Sequence, residues 1–226
     1  MQPLLVFDLD GTLAETAGDL IATLNVILAR ENLRPVALAE GRMMVGAGAR
    51  ALIREGFARG GAALSAERLE ILFRDFLEYY EAHIADHSHL FDGVAASLGR
   101  FSAAGWRLAV CTNKVEKPAL HLLQKLGVAD RFAFICGQDT IIIEGKAIAK
   151  PDPRVLFATI ERAGGARESS VMVGDSVTDI RTAQAAGVPV VAVDFGYTEK
   201  HVSAYNPDKV ISHFDELWGA VAELRL

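Results

Sequence analysis

The sequence predicts an α/β fold: a doubly wound parallel sheet with a small helical domain inserted after its first strand. Three observations predict it. The apolar run Leu4 to Phe7 reads as a short buried strand, and it ends in Asp8-Leu9-Asp10-Gly11-Thr12. From about residue 92 onward, apolar strand-like runs alternate with helical stretches, which is the pattern of a parallel sheet. Between these regions, residues 15 to 85 carry helical periodicity and no convincing strand. A helical block therefore interrupts the α/β unit just after its first strand.

Each element follows from its local pattern. Thr16 to Asp19 has the spacing of a capping box, and an amphipathic helix follows with Leu20, Leu24, Ile27 and Leu28 on one face. Residues 36–60 are rich in Ala and Gly and include Val45-Gly46-Ala47-Gly48-Ala49-Arg50. Ser65 opens a second strong helix, whose core stripe is Leu69, Leu72, Phe73, Phe76, Leu77 and Tyr80. In the second half, strands are expected over 108–111, 132–136, 171–173, 188–193 and 210–211. One helix has Pro118 near its start and Gly127 at its end, and others span 153–163, the stretch through Ala183 and Ala186, and 214–224. The expected division is an α/β core over 1–14 and 89–226, with a helical domain over 15–88.

Composition narrows the function. The chain has 226 residues, half of them hydrophobic, with 23 basic against 29 acidic residues and a net charge of −6. No basic cluster stands out, which disfavours nucleic acid and anionic membranes as partners. Cys111 and Cys136 lie in apolar strand-like stretches and read as buried, reduced thiols of a cytoplasmic protein. Met1-Gln2-Pro3 carries no positive charge and Asp8 interrupts the apolar run, so no secretory leader is expected. Oligomeric state is open between monomer and homodimer.

The first strand carries the chemistry. A strand ending in Asp-x-Asp-Gly places carboxylates at its C-terminal tip, where open α/β sheets hold ligands. Two carboxylates this close repel, and a hard divalent cation is the usual remedy. Taken alone, the same residues also suit a capped turn. Three further groups follow strand ends or precede helices: Cys111-Thr112-Asn113-Lys114, Ala149-Lys150-Pro151-Asp152-Pro153, and Gly174-Asp175-Ser176-Val177-Thr178-Asp179. A doubly wound sheet gathers these tips at one edge. Carboxylates, a hydroxyl and a cation together form the inventory of metal-assisted phosphoryl transfer.

In this order, the four groups resemble the four motifs of the haloacid dehalogenase superfamily, and the helical block resembles its small inserted cap on a Rossmann-like core. Within the superfamily the chain is most similar to the phosphoglycolate phosphatases, through Thr112-Asn113-Lys114, the Val45–Arg50 stretch and Gly196-Tyr197. The resemblance implies a Mg²⁺-dependent phosphomonoesterase acting on 2-phosphoglycolate. Asp8 would attack phosphorus, and Asp10 would serve as acid and then base. Thr112 and the backbone at Asn113 would hold the phosphoryl group, and Lys150 would neutralise its charge. Asp175 would hold Mg²⁺ together with the Asp8 carboxylate and the Asp10 carbonyl. Gly174 supports that turn, and Asp179 would support the metal shell or hold Lys150. An acid at Asp10 favours ester hydrolysis over carbon–halogen cleavage, because an alkoxide needs a proton to leave and a halide does not.

For the substrate carboxylate, Arg50 is the expected grip, with Gly46 and Gly48 admitting backbone amides. Lys114, a further substrate-binding candidate, faces either the active-site mouth or bulk solvent, and Tyr197 either lines the same mouth or packs at the sheet edge. His83 and His87, at i and i+4 with His89 nearby, have zinc-compatible spacing but read as a solvated helix end. The run 140–149 is longer than is usual in the phosphatase relatives, with Lys146 expected in an extended turn beside Glu144 and Gly145. Alternative substrates are pyrophosphate, a sugar phosphate, or those of a β-phosphoglucomutase. A receiver-type phosphorylation switch is disfavoured by chain length and by the Asp-Leu-Asp spacing.

Overall fold

The computed structural model describes residues 2–198 and 200–224. The chain opens with β1 (Leu4–Phe7) and a two-residue β2 (Ala14–Glu15), then enters four helices: α1 (Ala17–Arg30), α2 (Leu38–Gly41), α3 (Ala49–Arg59) and α4 (Ala66–Ala82). It leaves them through β3 (His89–Leu90) and α5 (Val94–Ala103). The alternating half holds β4 (Arg107–Cys111), α6 (Glu116–Lys125), β5 (Phe134–Cys136), β6 (Ile141–Ile143), β7 (Lys146–Ile148), α7 (Pro153–Arg162), β8 (Ser170–Gly174), α8 (Val177–Ala186), β9 (Val190–Val193), β10 (Lys209–Ile211) and α9 (Leu217–Ala222).

Six strands form one parallel sheet in the order β10-β9-β8-β1-β4-β5. All four residues of β1 are fully buried, as a central parallel strand requires. Leu5 and Phe7 face one core layer and Leu4 and Val6 the other, the alternation expected of a pleated strand. From β1 the chain winds first towards β4 and β5, then crosses back to β8, β9 and β10. That reversal places a crevice beside the C-terminal end of β1. Cys111 and Cys136 are register partners across β4 and β5, as buried free thiols.

The helical block is held by its apolar stripes. Leu20, Leu24, Ile27 and Leu28 of α1 are buried, as are Leu69, Leu72, Phe73, Phe76 and Tyr80 of α4. Ser65 caps α4 by accepting from Arg68 N. Thr16 and Asp19 do not form the expected capping box. Thr16 is the N-cap residue but makes no side-chain cap bond, because its hydroxyl donates instead to Asp10 Oδ1 at 2.7 Å. The Asp19 carboxylate accepts from His87 N, Ser88 N and Ser88 Oγ, which ties the entry helix to the exit segment. The antiparallel pair β2·β3 joins the two chain crossings at the same place.

The long 140–149 run is a β6–β7 hairpin rather than an extended turn. Glu144 and Gly145 both have positive φ, the requirement of a tight two-residue hairpin. Lys146 stands exposed at the start of β7.

Candidate active site

Strand register builds the site. Phe7 pairs with Val110 on one side and Val173 on the other, so the next residues, Asp8, Cys111 and Gly174, lie level at the sheet edge. Asp8 N continues the ladder to Val173 O at 2.9 Å. The chain turns at Gly11, where φ is +85° and a Cβ would lie 2.5 Å from Asp175 Oδ2. Only glycine meets both demands. Gly174 is similarly constrained, since a Cβ there would lie 2.4 Å from the Asp179 side chain.

Asp175 is held at both oxygens. Thr12 Oγ1 donates to Oδ1 at 2.9 Å and Tyr197 N to Oδ2 at 2.7 Å. Asp179 accepts from Ser176 N and Ser176 Oγ at the start of α8, and its other oxygen accepts from Lys150 Nζ. Lys150 therefore bridges two carboxylates, its Nζ also lying 2.9 Å from Asp8 Oδ1. Burial alone would lower the Lys150 pKa. The Asp179 and Asp8 charges outweigh it and hold the ammonium protonated.

The donor set suits a cation. One carboxylate oxygen from each of Asp8, Asp175 and Asp179 lies within 4.8 Å of the others, and all three residues are buried. Burial drives the Asp8 carboxyl well above the carboxylate range, only partly offset by Lys150, with Asp179 and Asp175 adding repulsion. Burial and the Asp179 charge push Asp175 up to about 7. Asp8 Oδ1 meets the Lys150 ammonium at 2.9 Å and no other donor. Three buried acids with one ammonium between them lack positive charge, and oxygen ligands of this kind fit a hard divalent ion.

On the other side of Asp8 lies a cleft lined by Asp8, Asp10, Thr112, Asn113 and Lys114 from the sheet edge, and by Gly46, Gly48, Leu52, Phe76 and Tyr80 from the helical block. Lys114 Nζ donates to Asp10 Oδ1 at 2.9 Å and lies 4.5 Å from the Tyr80 ring centroid. Lys114 N donates to Thr112 Oγ1, and Asn113 Nδ2 donates to the Lys150 carbonyl. Sequence reasoning missed Thr12, Thr16 and Tyr80 as site neighbours. Tyr80 carried a signal, its place in an apolar stripe, which read only as core.

The family profile described as haloacid dehalogenase-like hydrolase matches residues 5–193. The chain belongs to this family. The hydrolase is 47% identical over 222 residues to a phosphoglycolate phosphatase of Mesorhizobium japonicum, covering 98% of this chain and 96% of that one. It is 44% identical over 210 residues to one of Caulobacter vibrioides, covering 93% and 86%. Among solved structures, a predicted phosphoglycolate phosphatase from Haemophilus somnus superposes with a TM-score of 0.87 at 27% identity, over 96% of this chain and 97% of that one. CbbY from Rhodobacter sphaeroides, solved in complex with phosphate, has a TM-score of 0.81 at 25% identity, over 98% and 100%.

One expected placement does not hold in the hydrolase. Arg50 does not line the cleft. Its guanidinium is taken by a bidentate pair with Glu70, at 2.8 Å for both bonds, and it stacks on Phe73 with its Cζ 3.5 Å from the ring centroid. His83 stands at the solvated end of α4, just past Ala82, and meets Asp86, so it and His87 form no i, i+4 pair on a helix. Tyr197 Oη, expected at the site mouth or sheet edge, accepts from Thr16 N and Ala17 N and donates to Glu15. No helix among the described residues is long and apolar enough to cross a membrane.

Proposed function

We propose that this hydrolase converts 2-phosphoglycolate to glycolate and phosphate, with Mg²⁺ as its metal and Asp8 as the phosphoryl acceptor. The observation that carries the reading is the position of Asp8. It stands between Lys150 and two further buried acids on one side, and a cleft that also holds Asp10 on the other. The relatives named phosphoglycolate phosphatase, similar over nearly the whole chain, support the substrate.

Asp8 attacks phosphorus through a carboxylate oxygen, and the ester bond breaks as the aspartyl phosphate forms. Asp10 gives a proton to the departing glycolate oxygen, then takes one from the water that hydrolyses the intermediate. Lys150 offsets the equatorial charge of the phosphoryl group. Thr112 and the backbone at Asn113 orient that group. Held by Asp8, Asp175 and the Asp10 carbonyl, Mg²⁺ would supply Lewis-acid stabilisation of the phosphoryl oxygens. Residues 15–88 act as a cap that shields the reaction from water, with the β2·β3 ribbon as its attachment. The two buried free thiols support a cytoplasmic setting.

The test is phosphate release with Mg²⁺ from phosphoglycolate, pyrophosphate and several sugar phosphates, for wild type and Asp8→Asn. The expected result is a strong kcat/KM preference for phosphoglycolate that Asp8→Asn abolishes. Preference for another ester would overturn the substrate while keeping the chemistry.

A further inference from the structure

A substrate carboxylate needs a positive partner, and Arg50, committed to Glu70, does not line the cleft. Among the described residues that line it, Lys114 is the one cation. Lys114 is buried, and its ammonium has three donors. One goes to Asp10 Oδ1, and the ammonium rests beside the Tyr80 ring, so donor capacity remains. Tyr80 supplies a second, independent observation. The residue is 1% exposed, and its hydroxyl makes no well-aligned hydrogen bond, the Lys114 ammonium being the charged donor beside it. A buried hydroxyl left without such a bond is costly to the fold, so its presence in this wall needs a reason.

We infer that Lys114 and Tyr80 together form the subsite for the substrate carboxylate. The inference rests on the phosphoglycolate reading. In phosphoglycolate one methylene separates the ester oxygen from the carboxylate. Asp10 serves the ester oxygen, and Lys114 is in direct contact with Asp10. The cation therefore stands where so short an acid places its negative charge. Tyr80 comes from α4 and Lys114 from the sheet edge, so the carboxylate joins the helical block to the catalytic strand tips. Burial pushes the Tyr80 pKa up to about 12, which keeps the phenol a neutral donor. Beyond Tyr80, the side chains that the helical block adds to the wall are apolar, among them Val45, Leu52, Phe76 and Leu77.

The experiment compares phosphoglycolate with ethyl phosphate, the same two-carbon ester without the carboxylate, in wild type, Tyr80→Phe, Lys114→Met and Lys114→Arg. The readout is the ratio of the two kcat/KM values. Wild type should favour phosphoglycolate strongly. Tyr80→Phe, which keeps the ring, should lower the ratio about 10- to 100-fold, the weight of one hydrogen bond to a charged group, with the loss carried by the KM for phosphoglycolate. Lys114→Met should lower it at least as much, and Lys114→Arg should restore part of it. An unchanged ratio in Tyr80→Phe and Lys114→Met, with wild type still favouring phosphoglycolate, would overturn the subsite and leave the proposed function standing. A wild type without preference between the esters would overturn the substrate reading itself.

Discussion

Replacing Tyr197 by Phe removes one oxygen from a point where distant parts of the chain meet. Tyr197 Oη accepts from Thr16 N at 2.6 Å and Ala17 N at 3.1 Å, and donates to Glu15 Oε1 at 2.5 Å. It thereby caps the N-terminus of α1 from outside the helix, where backbone donors lack intrahelical acceptors. Ala17 N keeps a second acceptor in Glu15 Oε1, but Thr16 N, in a fully buried residue, is left with none. One buried unsatisfied donor plus one lost bond to a carboxylate should cost about 2–4 kcal/mol in sum. For a chain of this size that lowers Tm by roughly 5–15 °C. Urea unfolding with a thermal melt measures it. Tyr80→Phe is the matched control, because its hydroxyl has no well-aligned hydrogen bond to lose, and its stability should stay within about 0.5 kcal/mol of wild type or rise. Equal losses for the two variants would refute the reasoning, since the difference between them rests only on hydrogen-bond satisfaction.

Arg50→Ala should change the KM for phosphoglycolate by less than about twofold, because the guanidinium is held by Glu70 and Phe73 rather than by the cleft; steady-state kinetics showing a large, phosphoglycolate-specific rise in KM would return Arg50 to the site. Lys150→Met should abolish phosphate release and cost about 3–5 kcal/mol in a urea melt, because it leaves Asp8 and Asp179 buried without their counter-charge. Metal-stripped hydrolase should lose stability as pH rises from 4 to 7. The folded pKa of Asp175 is raised to about 7 by burial and by Asp179, so its contribution is complete below pH 4 and gone above pH 7, a span on the order of 4 kcal/mol at most. Saturating Mg²⁺ should flatten that slope in urea melts at stepped pH, Asp175→Asn should reduce it while Asp8, raised in the same direction, keeps its share, and a flat profile for the stripped wild type would contradict the expectation.

The strand tips were legible because each couples two independent signals, a buried apolar run and the polar residues that end it. The run at 4–7 with Asp8 and Asp10, and the strand before Asp175, are of this kind, and the structure brings Asp8, Lys150, Asp175 and Asp179 together. The apolar faces of α1 and α4 were legible for the same reason, through spacing alone. Partners far apart in the chain were not. Thr16 and Asp19 have capping-box spacing, yet Asp10 and the His87-Ser88 backbone take their side chains. Arg50 stands in a glycine-rich stretch that suggested a ligand, and its real partner, Glu70, lies on another helix. The β6–β7 hairpin escaped notice because its turn begins with Glu144, a residue rarely placed at positive φ.

The clearest mark of the site is one that sequence cannot carry. Buried polar atoms in folded proteins almost always find a partner. Among the described residues, the buried side-chain atoms without a well-aligned hydrogen bond are Asp8 Oδ1, whose one partner is the Lys150 ammonium at 2.9 Å, Tyr80 Oη and Asn113 Oδ1. All three residues line the same cleft. They come from the end of β1, from α4 and from the loop after β4, so no local defect of packing links them. They also differ in kind: a carboxylate oxygen, a phenol that can donate, and an amide carbonyl that can only accept. A fold that satisfies its polar groups elsewhere and leaves a mixed set open around one cavity bears that cost where a ligand can offset it. Phosphoglycolate offers one anionic end to the strand tips and the other to Lys114 and Tyr80. Of the unpaired atoms, the Tyr80 hydroxyl can donate to that carboxylate, whereas the Asp8 and Asn113 oxygens accept and call for a cation or a donor.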